Sequence, residues 1–352
     1  MIISLLIGVL VLSVVIIAHE LGHFTTAKLS GVKVEEFGLG FPPRFLSVMR
    51  GETRYSLNVI PFGGFVKMSG EEDPTAPGSL ASQSIPTRLL VLSSGALMNV
   101  LLALVLLSLA FAIPHDMVVG QVAIKEVAVG SPAATAGIAP GDIIVQINGS
   151  PVRNLSDLQR YLHLRLGQET TMRLQDSQGN TREVSLVPRW KPPEGQGTIG
   201  ALVEVRSPAV VRQSQPFWRA IPTGIWESLE TLVLMKNEII GWFIGTGAPQ
   251  VAGPVGIAQF TGEVAQAGWS ALLEIAALIS ISIGILQLFP IPAFDGGRIV
   301  FVLLEWVRRG KRVSPKVEGI VHTVGFFLLI GLLVIVTYQD IARIISGGSL
   351  LP

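Results

Sequence analysis

The residues best equipped for chemistry stand close to the start of the chain, in the run His19-Glu20-Leu21-Gly22-His23. On a helix, positions i and i+4 share one face a turn apart, so both imidazoles can reach a single metal ion. Glu20 follows the first imidazole directly, placed to accept a proton from an attacking water, which is the logic of an HExxH motif. A catalytic zinc takes three protein ligands and keeps a fourth position open. The chain contains no cysteine, so the third ligand must be His, Asp or Glu, and this ligand type favours zinc. The best candidate is Asp295, the only carboxylate in the stretch Leu288-Phe289-Pro290-Ile291-Pro292-Ala293-Phe294-Asp295-Gly296-Gly297. Its prolines break a helix and its glycines permit close approach. The alternative is an aspartate that caps a helix resuming near Arg298.

These groups must be carried by elements suited to lipid. The 352-residue chain is 49% hydrophobic and only 14% charged, against about 25% charged in soluble domains. Its net charge of +1 offers no basic excess for phosphates, so nucleic acid is not an expected partner. Three runs have the length a bilayer demands: Ile2 to Ala18, Leu89 to Ile113, and Gly319 to Thr337. The first lacks both a basic lead and a small-residue cleavage site, which favours a span over a cleaved signal peptide. A fourth run, Ala271 to Leu304, is overlong and interrupted by Pro290, Pro292 and Gly296-Gly297. Broken helices at membrane depth are tolerated where they line a cavity or are buried in protein, so the break is a candidate site. Segment 220–248 is apolar on one side but carries Glu227, Glu230, Lys236 and Glu238, as an amphipathic surface helix would.

Loop charge sets the expected orientation. Lys28, Lys33, Arg44, Arg50, Arg54, Lys67 and Arg88 crowd the first connection, and Arg308, Arg309, Lys311, Arg312 and Lys316 the last. Both loops are expected in the cytoplasm, with region 115–270 and both termini opposite. That puts His115 and His163 across the membrane from His19. His322, alone in an apolar run, reads as a packed core histidine.

Region 118–190 changes character, with short alternating runs between turn signals. Gly141-Asp142 leads into a strand that ends on Asn148-Gly149, a strong hairpin signal. Leu155 to Leu166 reads as a helix capped by Asn154 or Ser156. Strands Thr170 to Gln175 and Thr181 to Pro188 follow, joined at Asp176-Ser177-Gln178-Gly179. With Gly130-Ser131-Pro132-Ala133-Ala134 ahead of it, the pattern resembles a PDZ domain. Such domains take an extended peptide as an added strand, so a peptide or protein ligand is a candidate partner. A solubilising insert is the alternative.

Taken together the chain resembles the site-2 proteases, membrane zinc proteases that include the bacterial regulator-of-sigma-E protease. His19-Glu20-Leu21-Gly22-His23-Phe24 is similar to the family's HExGHF, and the Pro-x-Pro stretch to its LFPxPxxDGG. Ile60-Pro61-Phe62-Gly63-Gly64-Phe65-Val66-Lys67-Met68 resembles its Gly-Gly β-segment, Ser94 to Asn99 the start of the second span, and Gly253-Pro254-Val255-Gly256-Ile257 a motif before the third. The resemblance implies one catalytic Zn2+ on His19, His23 and Asp295, with Glu20 as the catalytic base. Residues 51–68 alternate as strands around Pro61-Phe62-Gly63-Gly64, so Gly63, Gly64, Phe65 and Val66 are candidates to offer an edge to an unwound substrate, with Asn99 a further candidate contact. The resemblance implies substrate contacts from the positions of Ser282 and Gln287, where many relatives have asparagines.

The expected fold class is a polytopic α-helical membrane protein of about four transmembrane helices, with a membrane-associated β-hairpin or sheet and one inserted α+β PDZ-like domain. The expected divisions are 1–114 with the HExxH motif and β-segment, 115–200 the PDZ-like domain, 201–270 a linker with the surface helix, and 271–352 the last two spans. The expected activity is intramembrane cleavage of transmembrane protein substrates, such as anti-sigma factors or signal-peptide remnants. The setting is a bacterial inner membrane or an organelle membrane of bacterial descent, with the active site toward the cytoplasm. A metal-binding transporter and an inactive scaffold are the competing readings. The first has no use for Glu20 or the insert, and the intact HExxH motif and Asp295 argue against the second.

Overall fold

The computed structural model describes residues 2–246 and 252–346. Helix α1 (Ile2–Leu29) leads into two long bent strands, β1 (Val34–Arg50) and β2 (Thr53–Met68), and then helix α2 (Ile85–Ala112). The middle of the chain holds β3 (His115–Val127), α3 (Pro132–Thr135), β4 (Ile143–Ile147), β5 (Ser150–Pro151), α4 (Leu155–Leu164), β6 (Thr170–Gln175), β7 (Thr181–Leu186) and β8 (Ala201–Gln213). Five helices close the described chain: α5 (Phe217–Ile244), α6 (Pro254–Val264), α7 (Trp269–Gln287), α8 (Asp295–Val307) and α9 (Pro315–Ile345). They form two compact units, residues 1–113, 216–228 and 251–352 in one, 114–215 and 229–250 in the other.

Among the described residues, four helices are long and apolar enough to cross a membrane: residues 3–29, 85–112, 269–287 and 315–345. With its β-sheets, the chain is a polytopic membrane protein. The first of these helices overruns its apolar run at the far end and the last at both ends, because polar residues continue the helix. The first extends past Ala18 to Leu29, so the HExxH motif lies inside α1 rather than at its end. It stops where Gly31 turns left-handed at φ 74° and Val32 N–H bonds the Ala27 carbonyl. Ser84 caps α2 ahead of Pro86, taking the buried Arg88 into its first turn. The fourth run is broken as its prolines require, into α7 and α8, with residues 288–294 between them. Gly296 and Gly297 lie in the first turn of α8, not in the break. Helix α5 matches most of the surface-helix segment, whose last residues, 247–248, lie outside the described residues, as do 347–352.

The helix unit buries Ala27, Val32, Val34, Met68, Val91 and Val302 in one cluster, and Leu12, Ala258 and Ile279 in another. Around them the spans turn leucines such as Leu6 and Leu10 outward, as lipid permits. Strands β1 and β2 pair antiparallel with repeated register shifts. Residues 36–39 pair with both 64–67 and 54–57, so two bent strands make a small sheet. Arg44 forks onto the Glu36 carboxylate and Ser56 Oγ donates to it at 2.7 Å, fixing the bend and holding that carboxyl below its usual range.

In the second unit the sheet order is β7-β6-β4-β3-β8, with β5 paired to β4. Asn148 and Gly149, at φ 48° and 82°, form the two-residue turn between β4 and β5. Asn154, rather than Ser156, caps α4 by accepting the Asp157 N–H at 2.8 Å. Alternate residues Thr170, Met172 and Leu174 face a core shared with Ile124, Ile144 and Leu158. Strand β8 occupies the start of the stretch expected as linker and pairs with β3 from His115↔Gln213 to Val127↔Ala201.

Candidate metal centre

Three helices of one unit build the site. Helix α1 supplies His19 and His23 from one face, and both side chains are buried, 3% and 5% exposed. The break after α7 turns the chain back so that α8 begins on Asp295. That turn is tight: a Cβ at Gly296 would lie 2.1 Å from the Phe289 carbonyl oxygen, so only glycine fits there. Helix α2 backs the histidines equally closely. A Cβ on Gly95 would stand 2.4 Å from His23 Nε2 and 2.5 Å from His19 Nε2.

His19 Nε2 and His23 Nε2 each lie 3.0 Å from Asp295 Oδ2, and 3.1 Å from one another. Ligands at about 2.0–2.1 Å around a tetrahedral ion stand roughly 3.3 Å apart, so the three atoms have nearly the spacing of three corners of that tetrahedron. Their hydrogen-bonding state points the same way. The Val91 carbonyl can only accept, so His23 Nδ1 donates to it at 2.9 Å, and a neutral His23 turns the Nε2 lone pair inward. The His23 Nε2 lone pair and the Asp295 carboxylate then converge with His19 Nε2 at one point, an arrangement that a cation stabilises. The donor set fits zinc.

Glu20 lies beside this triad, its carboxylate against the backbone of Val66 in β2. Gly64 is packed under the same side chain; a Cβ there would be 3.9 Å from Glu20 Cγ. Phe65 lies over Gly38, and Gly63 is left-handed at φ 74°. The β-segment and the histidines are thus brought together. Asn99 is fully buried, with Nδ2 3.4 Å from His19 Nδ1 and Oδ1 unpartnered. It stands behind an imidazole rather than in an opening. Ser282 donates to Leu278 in its own helix at 2.8 Å, and Gln287 is the last residue of α7.

Other parts of the site had only weak signals in the sequence. Glu71 Oε1 accepts the Met68 N–H at the end of β2, while Oε2 meets Arg298 Nη1 at 2.5 Å, one turn beyond Asp295. Arg88 and Arg312 both reach Glu305, at 2.5 and 3.0 Å. Arg88 and Glu305 stand just outside the ends of apolar runs and Arg312 in a basic loop, so nothing local marked them as partners.

Residues 7–332 match the model of peptidase family M50. A Clostridium perfringens protein is 36% identical over 341 residues, covering 95% of this chain and 97% of its own length. One from Clostridium acetobutylicum is 34% identical over 349 residues (96% and 97%), and one from Agrobacterium fabrum 31% over 363 residues (96% and 95%). Each of the three carries the name "Putative zinc metalloprotease".

Proposed function

The chain belongs to peptidase family M50, and we propose that this zinc metalloprotease cleaves peptide bonds in or beside the transmembrane segments of other membrane proteins. The observation that carries the proposal is the convergence of His19 Nε2, His23 Nε2 and Asp295 Oδ2 at 3.0–3.1 Å among helices long enough to span a bilayer.

These three atoms would hold the ion. When bound, zinc polarises the scissile carbonyl and lowers the pKa of water to about 7. Glu20 accepts the proton of the attacking water and returns it to the leaving nitrogen. A helical substrate hides its peptide bonds in internal hydrogen bonds, so it must unwind before attack. The Gly64-Phe65-Val66 edge of β2, beside Glu20, would stabilise the unwound segment as an added strand. Ser282 and Gln287 are assigned to polar contacts with that segment, and Asn99 to the support of His19.

We assign the basic loops, and the chemistry, to the cytoplasmic side, with both termini and the insert opposite. The insert is read as a PDZ-type domain from its Asn-Gly hairpin, its capped helix α4 and its antiparallel sheet. Strand β8 runs along β3, so an added peptide strand would find that edge taken. Exclusion of substrates with bulky outer domains is therefore the role proposed for it, ahead of peptide capture.

The deciding experiment compares wild type with Glu20→Gln, in lipid and at matched zinc content, on a single-span substrate. Product from wild type alone supports the protease and its base. Zinc bound by both with no product from either would favour a metal-binding transporter. Val66→Pro should lower cleavage while leaving zinc in place; unchanged cleavage would remove the added-strand step.

A further inference from the structure

The turn that delivers Asp295 is held from outside by one side chain. His322, in the N-terminal third of α9, accepts the Ala293 N–H on Nδ1 at 3.0 Å. Ala293 has φ 77°, a left-handed conformation that non-glycine residues adopt rarely and that persists only where surroundings enforce it. One turn further along α9, Gly325 admits Pro292: a Cβ there would lie 2.3 Å from the proline Cβ. So the two residues ahead of Phe294 and Asp295 are gripped by one face of α9.

The histidine's own state argues that this bond matters. A backbone N–H can only donate, so Nδ1 is the acceptor and the neutral ring carries its proton on Nε2. That Nε2 is buried and has no partner among the described residues. The ring also stands 5.5 Å from Phe301, a contact an apolar side chain would make without orphaning a polar atom. Packing alone therefore does not account for a histidine here.

We propose that His322 is a positioning residue, which fixes the left-handed turn at Ala293 and thereby aims Asp295 at His19 and His23. The proposal rests on the assignment of Asp295 as the third zinc ligand.

Its test is zinc affinity, measured by chelator competition on the full chain in lipid nanodiscs, independent of any substrate. Asparagine places Oδ1 where His322 has Nδ1, whereas glutamine carries its carbonyl one bond further out. His322→Ala and His322→Gln should weaken zinc binding by about 10–100-fold, the usual effect of losing a residue that supports a ligand, and His322→Asn should stay below that range. Wild-type affinity in the alanine variant would overturn the proposal. So would equal losses for asparagine and glutamine, a comparison that stands even if the alanine variant fails to fold. His23→Ala is the control: if it bound zinc like wild type, the metal site itself would be wrong, a failure distinct from that of His322.

Discussion

His23 donates from Nδ1 to the main-chain carbonyl of Val91, so helix α2 sets the tautomer of a histidine on α1. Ser94 Oγ donates to the same carbonyl at 2.6 Å, and Gly95 next to it leaves room for both Nε2 atoms. Gly95→Ala puts a methyl within 2.5 Å of both. It should abolish zinc binding while the spans remain folded, because alanine suits a helix better than glycine by about 1 kcal/mol. Zinc content and circular dichroism of the purified variant check this; a zinc-replete alanine variant would contradict the geometry.

Asn99 bears on the other histidine. Its Oδ1 is buried without a partner and its Nδ2 faces His19 Nδ1. A half-turn of the amide lets Oδ1 accept from a protonated Nδ1, satisfying both groups and freeing Nε2 for metal. Asn99→Ala should then weaken zinc binding by about 10-fold, and Asn99→Asp, which keeps the acceptor, should retain most of it. Equal losses in the two variants would point instead to a packing role.

Metal and stability are linked through the convergence of His19, His23 and Asp295. Zinc that binds only the folded chain stabilises it by about 2.7 kcal/mol at a concentration 100 times Kd. Chelation should lower the melting temperature in nanodiscs, with recovery on adding zinc back. His23→Ala should show neither response; a chelator effect that persisted there would place the metal elsewhere.

How much of this was legible in the sequence follows from where each signal is stored. The pairing of His19 with His23 is local, since helical spacing alone puts them on one face, and Asp295 stood out as a lone carboxylate in a broken apolar run. Helix α1 runs to Leu29 because hydropathy registers only its apolar part, while Glu20 to Lys28 continue the helix. Strand β1 was not foreseen: glycine and proline usually interrupt strands, whereas here Gly38, Gly40, Pro42 and Pro43 fall within a strand that bends through register shifts. Strand β8 is mostly exposed and pairs with the distant β3, so no buried alternation marks it. The partners of Asn99 and His322 depend on how helices are rotated against one another, which no local pattern encodes.

Glu71 ties β2 to α8, accepting the Met68 N–H on one oxygen and Arg298 on the other. Hydrogen bonds to charged groups contribute about 1.5–3 kcal/mol. Glu71→Ala and Arg298→Ala should each cost about that much, and the double variant little more than either. Thermal unfolding of the four proteins gives the cycle; additive losses would mean that the two side chains act separately.

The Arg88–Glu305 pair makes the sharper energetic test. Both side chains are buried, and Arg312 completes the group at 3.0 Å. Taking two charges out of water is costly, so such a pair adds little net stability, but removing one partner strands the other. Arg88→Met should therefore destabilise by about 3 kcal/mol, with Arg312 moderating the loss. Replacing both, Arg88→Met with Glu305→Leu, should recover most of it, because apolar groups of similar volume need no partner. Arg312 is then released from a site one-third exposed, where water can solvate it. Melting temperatures of the single and double variants decide the matter, and a double variant less stable than Arg88→Met would show that the ion pair itself holds α2 against α8.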